Sequence, residues 1–341
     1  MKSLRSNKGV VLIFALWALG FLTVLALSVG FGTRQRITLL GRLEERVRAQ
    51  SAAEAAVKKA VAVLIDDLEN EQFLYSPAAK QKRHNNPAAF AGIEIDGWKA
   101  EVVCPAFDDA AGHVVERSGL CDEQSKINLN TVDLTTLKGL LTNVLALDSD
   151  TATKLATNIV DWRDFGQHEA EGFYSDDYYK NLEFPYDMKE QPFERIDELL
   201  LVKGVDRSVY ERLYPFLTVY GDGHININTV PGPVLAAYGL DPAVAGKLLL
   251  ARRGKDNIEG TADDHVFQRP FDVASEVKAL VPLDDKELRQ IDALNARSVL
   301  MVSSLMYSAV ARVPVDGGGY VRTITVVFNA FTNKYEYWYE K

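Results

Sequence analysis

Two cysteines in 341 residues, Cys104 and Cys121, are too few for a disulfide framework or a four-cysteine zinc site. The five histidines (His84, His113, His168, His224 and His265) are scattered, so no tetrahedral metal centre and no Cys/His nucleophile pairing is written in the chain. A Gly-x-Ser-x-Gly elbow and a phosphate-binding loop are both missing, which removes the commonest hydrolase and nucleotide-binding signatures. Paired carboxylates are plentiful, but a glycosidase needs two of them facing each other across a cleft, and linear spacing does not specify that. No enzymatic activity is expected. After the first fifty residues acids outnumber bases. Residues 1–48 carry eight Lys/Arg against Glu44 and Glu45, a balance of +6, so with a total of −9 the remainder carries −15. A body that acidic repels phosphate, and nucleic acid is not an expected partner.

One stretch has no charge at all. From Val10 to Phe31 every residue is uncharged, and about 20 apolar residues rising ~1.5 Å each cross a bilayer as a helix. A cleaved secretory signal would use Lys2, Arg5 and Lys8 as its basic region and end near Ser28 or Gly30. The run exceeds the ~7–15 apolar residues of such signals, so a retained span is expected. The basic residues before it place the N-terminus in the cytoplasm and the body outside, although Arg34, Arg36 and Arg42 weaken the asymmetry. From Thr33 to Leu68 proline is absent and Gly41 is the lone glycine. There Leu39, Leu40, Leu43, Val47, Ala55, Ala56, Val63 and Leu64 recur at helical spacing, which predicts one continuous helix, half membrane and half amphipathic.

Phe73 to Phe90 is polar and proline-bearing and reads as loop. Gly92 to Cys104 alternates like a strand pair, and Gly112 to Leu120 suggests another. Strand signals return at Leu305–Val313, Tyr320–Phe328 and Tyr335–Tyr339, with turns at Asp316–Gly319 and Thr332–Asn333. Tyr320, Ile324, Val326 and Phe328 share one parity, which gives one apolar face for the N-terminal helix. Isolated hairpins are marginal. A single antiparallel sheet assembled from both ends, with the middle inserted, is the expected solution.

The middle repeats itself. Ile127–Leu137 (INLNTVDLTTL) and Ile225–Leu235 (ININTVPGPVL) match at an offset of 98 residues, including Asn128/Asn226, Asn130/Asn228 and Thr131/Thr229. Isoleucines anchor such a segment while the short Asn and Thr groups tie down the backbone and cap the helix that follows, a structural role. Leu134 stands where a capping box needs Glu or Gln. Both repeats are also similar to the start of helix-hairpin-helix modules, which bind DNA through glycine-rich hairpins. That leaves one alternative, a membrane-anchored helix-hairpin-helix DNA-binding protein of a competence or type IV pilus system. Its hairpin positions, Leu147–Asp150 and Gly239–Lys247, carry aspartate where glycine and lysine are needed, and Leu201–Leu213 keeps a single Gly204.

A basic leader ending in Lys8-Gly9, followed by an apolar helix that turns amphipathic, resembles the type IV pilin and pseudopilin class. Phe14 stands where most members have a glutamate as fifth mature residue, and the K-class minor pseudopilins of type II secretion lack that acid as a rule. Cys121–Thr131, Asn158–Gly166, Pro192–Val205, Leu213–Gly221, His224–Thr229 and the terminal YEYWYEK extend the K-class resemblance over nearly the whole chain. The resemblance implies an α+β fold: a pilin-like long N-terminal helix on an antiparallel sheet, with a large inserted helical domain of two helix-hairpin-helix-like (SAM-like) halves. The corresponding division is a leader at 1–9, the transmembrane and amphipathic helix at 10–70, the first part of the αβ domain at 71–126, the insertion at 127–298 and the second part at 299–341. The resemblance also implies cleavage after Gly9 by the prepilin peptidase and N-methylation of Val10. As partners it implies I- and J-type minor pseudopilins, the major pseudopilin and the inner-membrane secretion platform. It implies a single inner-membrane pass with a periplasmic body, and a place at the tip that initiates or caps the fibre for protein export across the outer membrane.

Two further expectations concern sites. Asp256, Asn257, Glu259, Asp263 and Asp264 around Gly260 concentrate oxygen ligands of the kind calcium takes, and Asp161, Asp164, Glu169, Glu171, Asp176 and Asp177 form a similar set. Neither matches an EF-hand. Cys104 and Cys121 flank a hairpin, and an oxidising periplasm would let them pair. Trp162 is expected to anchor the core of the insertion.

Overall fold

The computed structural model describes residues 8–71, 77–164, 176–259, 261, 263–315 and 319–341. Helix α1 (Lys8–Glu71) runs for 64 residues without a break, as expected of a segment with no internal proline. Its described side chains from Val10 to Val47 are exposed, and from Ala49 onward one face is buried. Ala49, Ala52, Ala53, Ala56, Val57, Ala60 and Leu64 form that face. They follow helical spacing, and the small alanines let the backbone approach the sheet closely.

Phe73–Phe90, read above as loop, instead contains two short helices, α2 (Pro77–His84) and α3 (Pro87–Phe90). The prolines taken as breakers are helix starters. Pro87 is the first residue of α3, and Asn86 caps it by accepting from the Ala89 N–H.

Four strands precede the insertion: β1 (Ile93–Ile95), β2 (Trp98–Asp108), β3 (His113–Ser118) and β4 (Cys121–Asp122). Within the insertion lie β5 (Ile127–Asn128), α4 (Leu134–Leu145), α5 (Ser149–Arg163), α6 (Asp176–Lys180), α7 (Arg207–Leu213) and β6 (Leu217–Thr218). These are followed by β7 (Ile225–Asn226), α8 (Gly232–Ala237), α9 (Pro242–Arg252), α10 (Val273–Leu280), α11 (Asp285–Ala296) and β8 (Leu300–Met301). The chain then returns as β9 (Met306–Val315), β10 (Gly319–Asn329) and β11 (Lys334–Glu340).

The expected sheet forms from both ends. Its order is β1-β2-β9-β10-β11, with β3 on β2 and β4 on β9, and every pairing is antiparallel. Ala100 and Val102, the β9 residues Tyr307, Ala309, Ala311 and Val313, and the β10 residues Ile324, Val326 and Phe328 pack beneath the alanine face of α1. The Tyr320 side chain lies outside the described residues. A second apolar cluster, from Ile127 to Leu300, fills the helical part, where Trp162 is buried with its edge on Tyr179 at 5.5 Å.

Candidate assembly surface

From Val10 to Phe31 the helix offers about 33 Å of apolar surface, enough to cross a bilayer, and none of it is buried. Beyond it, Ile37, Leu39, Leu40, Leu43 and Val47 stay exposed before the head begins. An exposed apolar stripe of this size is the mark of a contact surface, so α1 is the candidate surface for lipid or for other helices. Phe14 is 78% exposed on that surface. Gly9 lies inside the first turn of α1, with nothing within 4 Å of the position its missing Cβ would take, and Val10 is exposed.

Three consecutive polar residues seat the insertion on the sheet. Asp122, at the end of β4, accepts from Asn226 Nδ2 (2.9 Å), Thr229 Oγ1 (2.5 Å), Ser304 Oγ (2.7 Å) and the Gln124 N–H (2.8 Å). Burial pushes its carboxyl up against those four donors. Glu123 binds Lys126 Nζ (2.7 Å), Thr218 Oγ1 (2.5 Å) and Ser308 Oγ (2.5 Å). Burial would raise its carboxyl, but the Lys126 charge and the hydroxyl donors outweigh it and hold it low. Gln124 accepts from the Leu305 N–H (2.7 Å) and donates to Asp222 Oδ1 (3.1 Å). Beginning, middle and end of the insertion thus meet β4 and β9 at one buried, satisfied polar knot. Beside it Cys104 and Cys121 are joined, with Sγ–Sγ 2.01 Å and Cα–Cα 5.3 Å.

Each repeat opens with a strand residue pair that meets a parallel partner at the repeat's end: Ile127 with Leu217, and Ile225 with Leu300. Asn130 clamps Phe193, accepting from its N–H (2.7 Å) and donating to its carbonyl (2.9 Å), and Asn228 does the same to Phe267 at 2.9 Å in both directions. Asn128 and Asn226 each accept from the backbone N–H two residues on. The expected capping role is corrected. Asp133 caps α4, accepting from Thr136 N (2.7 Å), and α8 starts at Pro231 without a side-chain cap. The Asn side chains also reach distant partners, as does Thr229, while Thr131 Oγ1 donates to the Asn128 carbonyl at 3.5 Å.

Sequence reading missed two arginines. Arg163 Nη1 donates to the carbonyls of Leu129 (2.6 Å) and Val132 (3.1 Å), and Arg252 Nη1 donates to those of Ile227 (3.2 Å) and Val230 (2.8 Å), the equivalent residues of the second repeat. They are 89 residues apart, which breaks the 98-residue offset and hides the match. The shared position at the end of a second helix, VDWR and LLAR, is the signal that finds them.

The hairpin aspartates cap the helices that follow. Asp148 accepts from Asp150 N and Thr151 N (3.0 Å each), and Asp241 accepts from Ala243 N (3.0 Å). The donors a phosphate would use at α5 and α9 are engaged within the chain.

The described members of the acidic sets have partners within the chain. Glu259 turns inward between Lys80 (3.1 Å), Arg117 (3.2 Å) and Arg252 (3.5 Å). Asp263 accepts from Lys255 N (2.7 Å), Asp256 N (3.2 Å) and Thr261 Oγ1 (2.8 Å), and Asp256 accepts from Ile258 N (2.8 Å). Asn257 occupies a left-handed turn position and Asp264 is buried. Asp161 is buried in the helical core, and Asp164 is held by Arg163 at 2.7 and 2.9 Å. Glu169, Glu171 and Gly260 lie outside the described residues, and Asp176 and Asp177 are described only as the start of α6. Among the described residues no three His, Cys, Asp or Glu side chains are placed to hold a metal ion. Of the first set, Glu259 answers three cations and Asp263 accepts from N–H and O–H donors of its own loop.

Residues 119–222, from the knot to the end of the first repeat, match the family model of type II secretion system protein K. Over 107 residues the chain is 33% identical to the type II secretion system protein K of Pectobacterium carotovorum subsp. carotovorum, covering 30% of this chain and 33% of that one. Over 122 residues it is 30% identical to the protein of the same name from Pseudomonas aeruginosa (strain PAO1), covering 35% and 36%. Over this segment the chain is similar to the type II secretion system K proteins. The matched segments span about a third of each relative, and residues 119–222, matched by the family model, hold the knot residues Asp122, Glu123 and Gln124 and the first Asn latch. The fold is also that of a chain in the crystal structure of the GspK–GspI–GspJ complex from enterotoxigenic Escherichia coli. There the TM-score is 0.58 at 17% identity, over 89% of this chain and 97% of that one. A pilin-like α+β fold with a long N-terminal helix therefore holds beyond the conserved-length segment matched by sequence.

Proposed function

We propose that the chain is a minor pseudopilin that assembles, through α1, with I- and J-type subunits at the tip of a type II secretion pseudopilus and is itself no catalyst. The observation that carries this reading is the exposed face of α1 from Val10 to Val47, about 57 Å long and apolar throughout its first 33 Å, which no described residue covers. The complex named for the structural relative, in which GspK stands with GspI and GspJ, supports the choice of partners. In this reading the prepilin peptidase cuts after Gly9 and Val10 becomes the methylated N-terminus. The span then holds the subunit in the inner membrane with the head in the periplasm until the secretion platform and the major pseudopilin extend the fibre.

Phe14 follows from the same role. A charged side chain in a bilayer is costly unless a partner meets it. A subunit with nothing stacked above it has no neighbour's amino terminus to meet a glutamate there, and an apolar residue suits it. Full-length chain co-expressed with the I- and J-type subunits of its own system, extracted in detergent and purified by a tag on the chain, is expected to retain both partners. Phe14→Glu is expected to change that retention by less than twofold. Failure of the wild type to retain either partner, or loss of both on Phe14→Glu, overturns the reading. N-terminal sequencing of the membrane form checks the processing step, with Val10 as the expected first residue.

A further inference from the structure

We propose that the outer edge of β11 receives an extended strand from the head of a neighbouring pilin-type subunit, paired through the main chain of Trp338 and Glu340. The inference rests on the assembly reading above and assigns it a second contact besides the helices.

The ladder between β10 and β11 fixes which groups face outward. Thr323 and Lys341 exchange both backbone bonds, at 3.0 and 2.9 Å. Thr325 with Tyr339 and Val327 with Tyr337 continue that alternation, and Val326 with Trp338 and Ile324 with Glu340 fall between. In an antiparallel pair the intervening residues point their N–H and C=O away from the partner strand. For Trp338 and Glu340 those groups face away from β10, and β11 stands last in the sheet order. Below them the register shifts at Val327/Phe328, and a bulge turns an edge away from pairing. The regular part of the edge is therefore 337–341.

Above the bulge, residues 337–341 leave this edge regular, and no other described strand pairs with it. It contains no proline, and Trp338, Tyr335 and Tyr339 are 36, 40 and 45% exposed. Its two faces are built. On the α1 side Trp338 stacks edge-on to Tyr335 at 5.0 Å and donates Nε1–H to Glu340 Oε1 at 2.7 Å. On the other side Arg195 of the insertion lies over Tyr337 and Tyr339, at 5.2 and 5.7 Å from the ring centroids. An added strand would find an aromatic wall on one face and an arginine-topped tyrosine pair on the other, so its side chains are read alternately.

Placement selects the occupant. Gln50 Nε2 donates to Glu340 Oε2 at 2.9 Å, and Gln50 lies one turn above Val47, where the exposed apolar stripe of α1 ends. The edge of β11 thus continues the helix surface on which a sister subunit is expected. A neighbour bundled along α1 would carry its own head to this edge. Charge adds register: Glu336 and Glu340 call for basic residues opposite, and Lys334 and Lys341 for acidic ones.

The test uses the full chain in detergent, alone and in the co-purified complex with I- and J-type subunits, with amide hydrogen exchange resolved to single residues. Exchange at Trp338 and Glu340 is expected to slow at least tenfold in the complex, while Tyr337 and Tyr339, already bonded to β10, change by less than threefold. Trp338→Pro removes one outward N–H and no bond to β10, and is expected to lower partner retention at least tenfold where Trp338→Phe keeps it. A complex that forms with unchanged exchange at Trp338 and Glu340, or that tolerates Trp338→Pro, overturns the edge contact and leaves the assembly reading standing. Protection of the same amides in the chain alone, rising with its concentration, would also overturn it by assigning the edge to a second copy. If no complex forms, both fall.

Discussion

The two halves of the insertion use the same devices for different ends. In the first, Asn128 donates to the carbonyls of Tyr220 and Gly221 and so closes the half on its own terminus. In the second, Asn226 donates to Asp122 and Ser304, which belong to the junction with the sheet. Arg163 is shared with its neighbour Asp164 and keeps some solvent. Arg252 is buried and shares Glu259 with Lys80 of α2 and Arg117 of β3. A duplicated turn has thus been kept once as an internal latch and once as the fastening between insertion and αβ head. Thr218 of the first half also reaches Glu123, but the second half carries the Asn226 and Thr229 contacts to the αβ head and the Glu259 through which Arg252 is tied to it, and substitutions there should cost more than their counterparts.

The sharpest break in that comparison is Arg252→Met against Arg163→Met. Removing a buried charge leaves Glu259 desolvated with less compensation, for an expected loss of ~3–5 kcal/mol, whereas the partly solvated Arg163 gives up hydrogen bonds with an expected cost of about 1–2 kcal/mol. Urea midpoints of the detergent-solubilised chain decide it, and equal losses would end the asymmetry. Next comes Asn226→Ala against Asn128→Ala. The first strands the buried Asp122 carboxylate short of a donor and should cost ~2–3 kcal/mol, and the second leaves two backbone carbonyls near solvent and should cost about 1 kcal/mol.

The smallest effect is in pH. Burial alone would raise the Glu259 carboxyl, but Lys80, Arg252 and Arg117 outweigh it and hold it well below its usual value of 4.5. A depressed carboxyl contributes stability that is complete above the unfolded value and is lost as pH falls through the folded one. The melting temperature should therefore fall below about pH 4.5, and Glu259→Gln should flatten that decline while lowering the neutral-pH value. A parallel decline in wild type and variant would remove Glu259 from the fastening.

Much of this was visible in the order of residues. The long uncharged run, the proline-free stretch after it and the alternation at both ends of the chain led to α1 and to a sheet assembled from distant segments, because each pattern needs a partner surface that a local hairpin cannot supply. The 98-residue repeat located both Asn latches. What stayed hidden depends on pairings no period encodes. Pro77 and Pro87 read as breaks until their place at helix starts is known, since proline serves both roles. Arg163 and Arg252 escape a fixed offset because the loops between differ in length. Glu259 looked like a calcium ligand among acidic neighbours, and only folding brings Lys80, from 179 positions earlier, to within 3.1 Å of it.

By itself the sequence determined that this protein has an apolar helix long enough for a bilayer, a duplicated middle and a sheet shared between its two ends, because periodicity and repetition are properties of the chain alone. The tertiary structure decided how the acids and cations are spent, since a charge is defined by the neighbour it meets and the solvent it loses. It also decided that Asp122, Glu123 and Gln124 form the fastening and that the main chain of Trp338 and Glu340 faces outward.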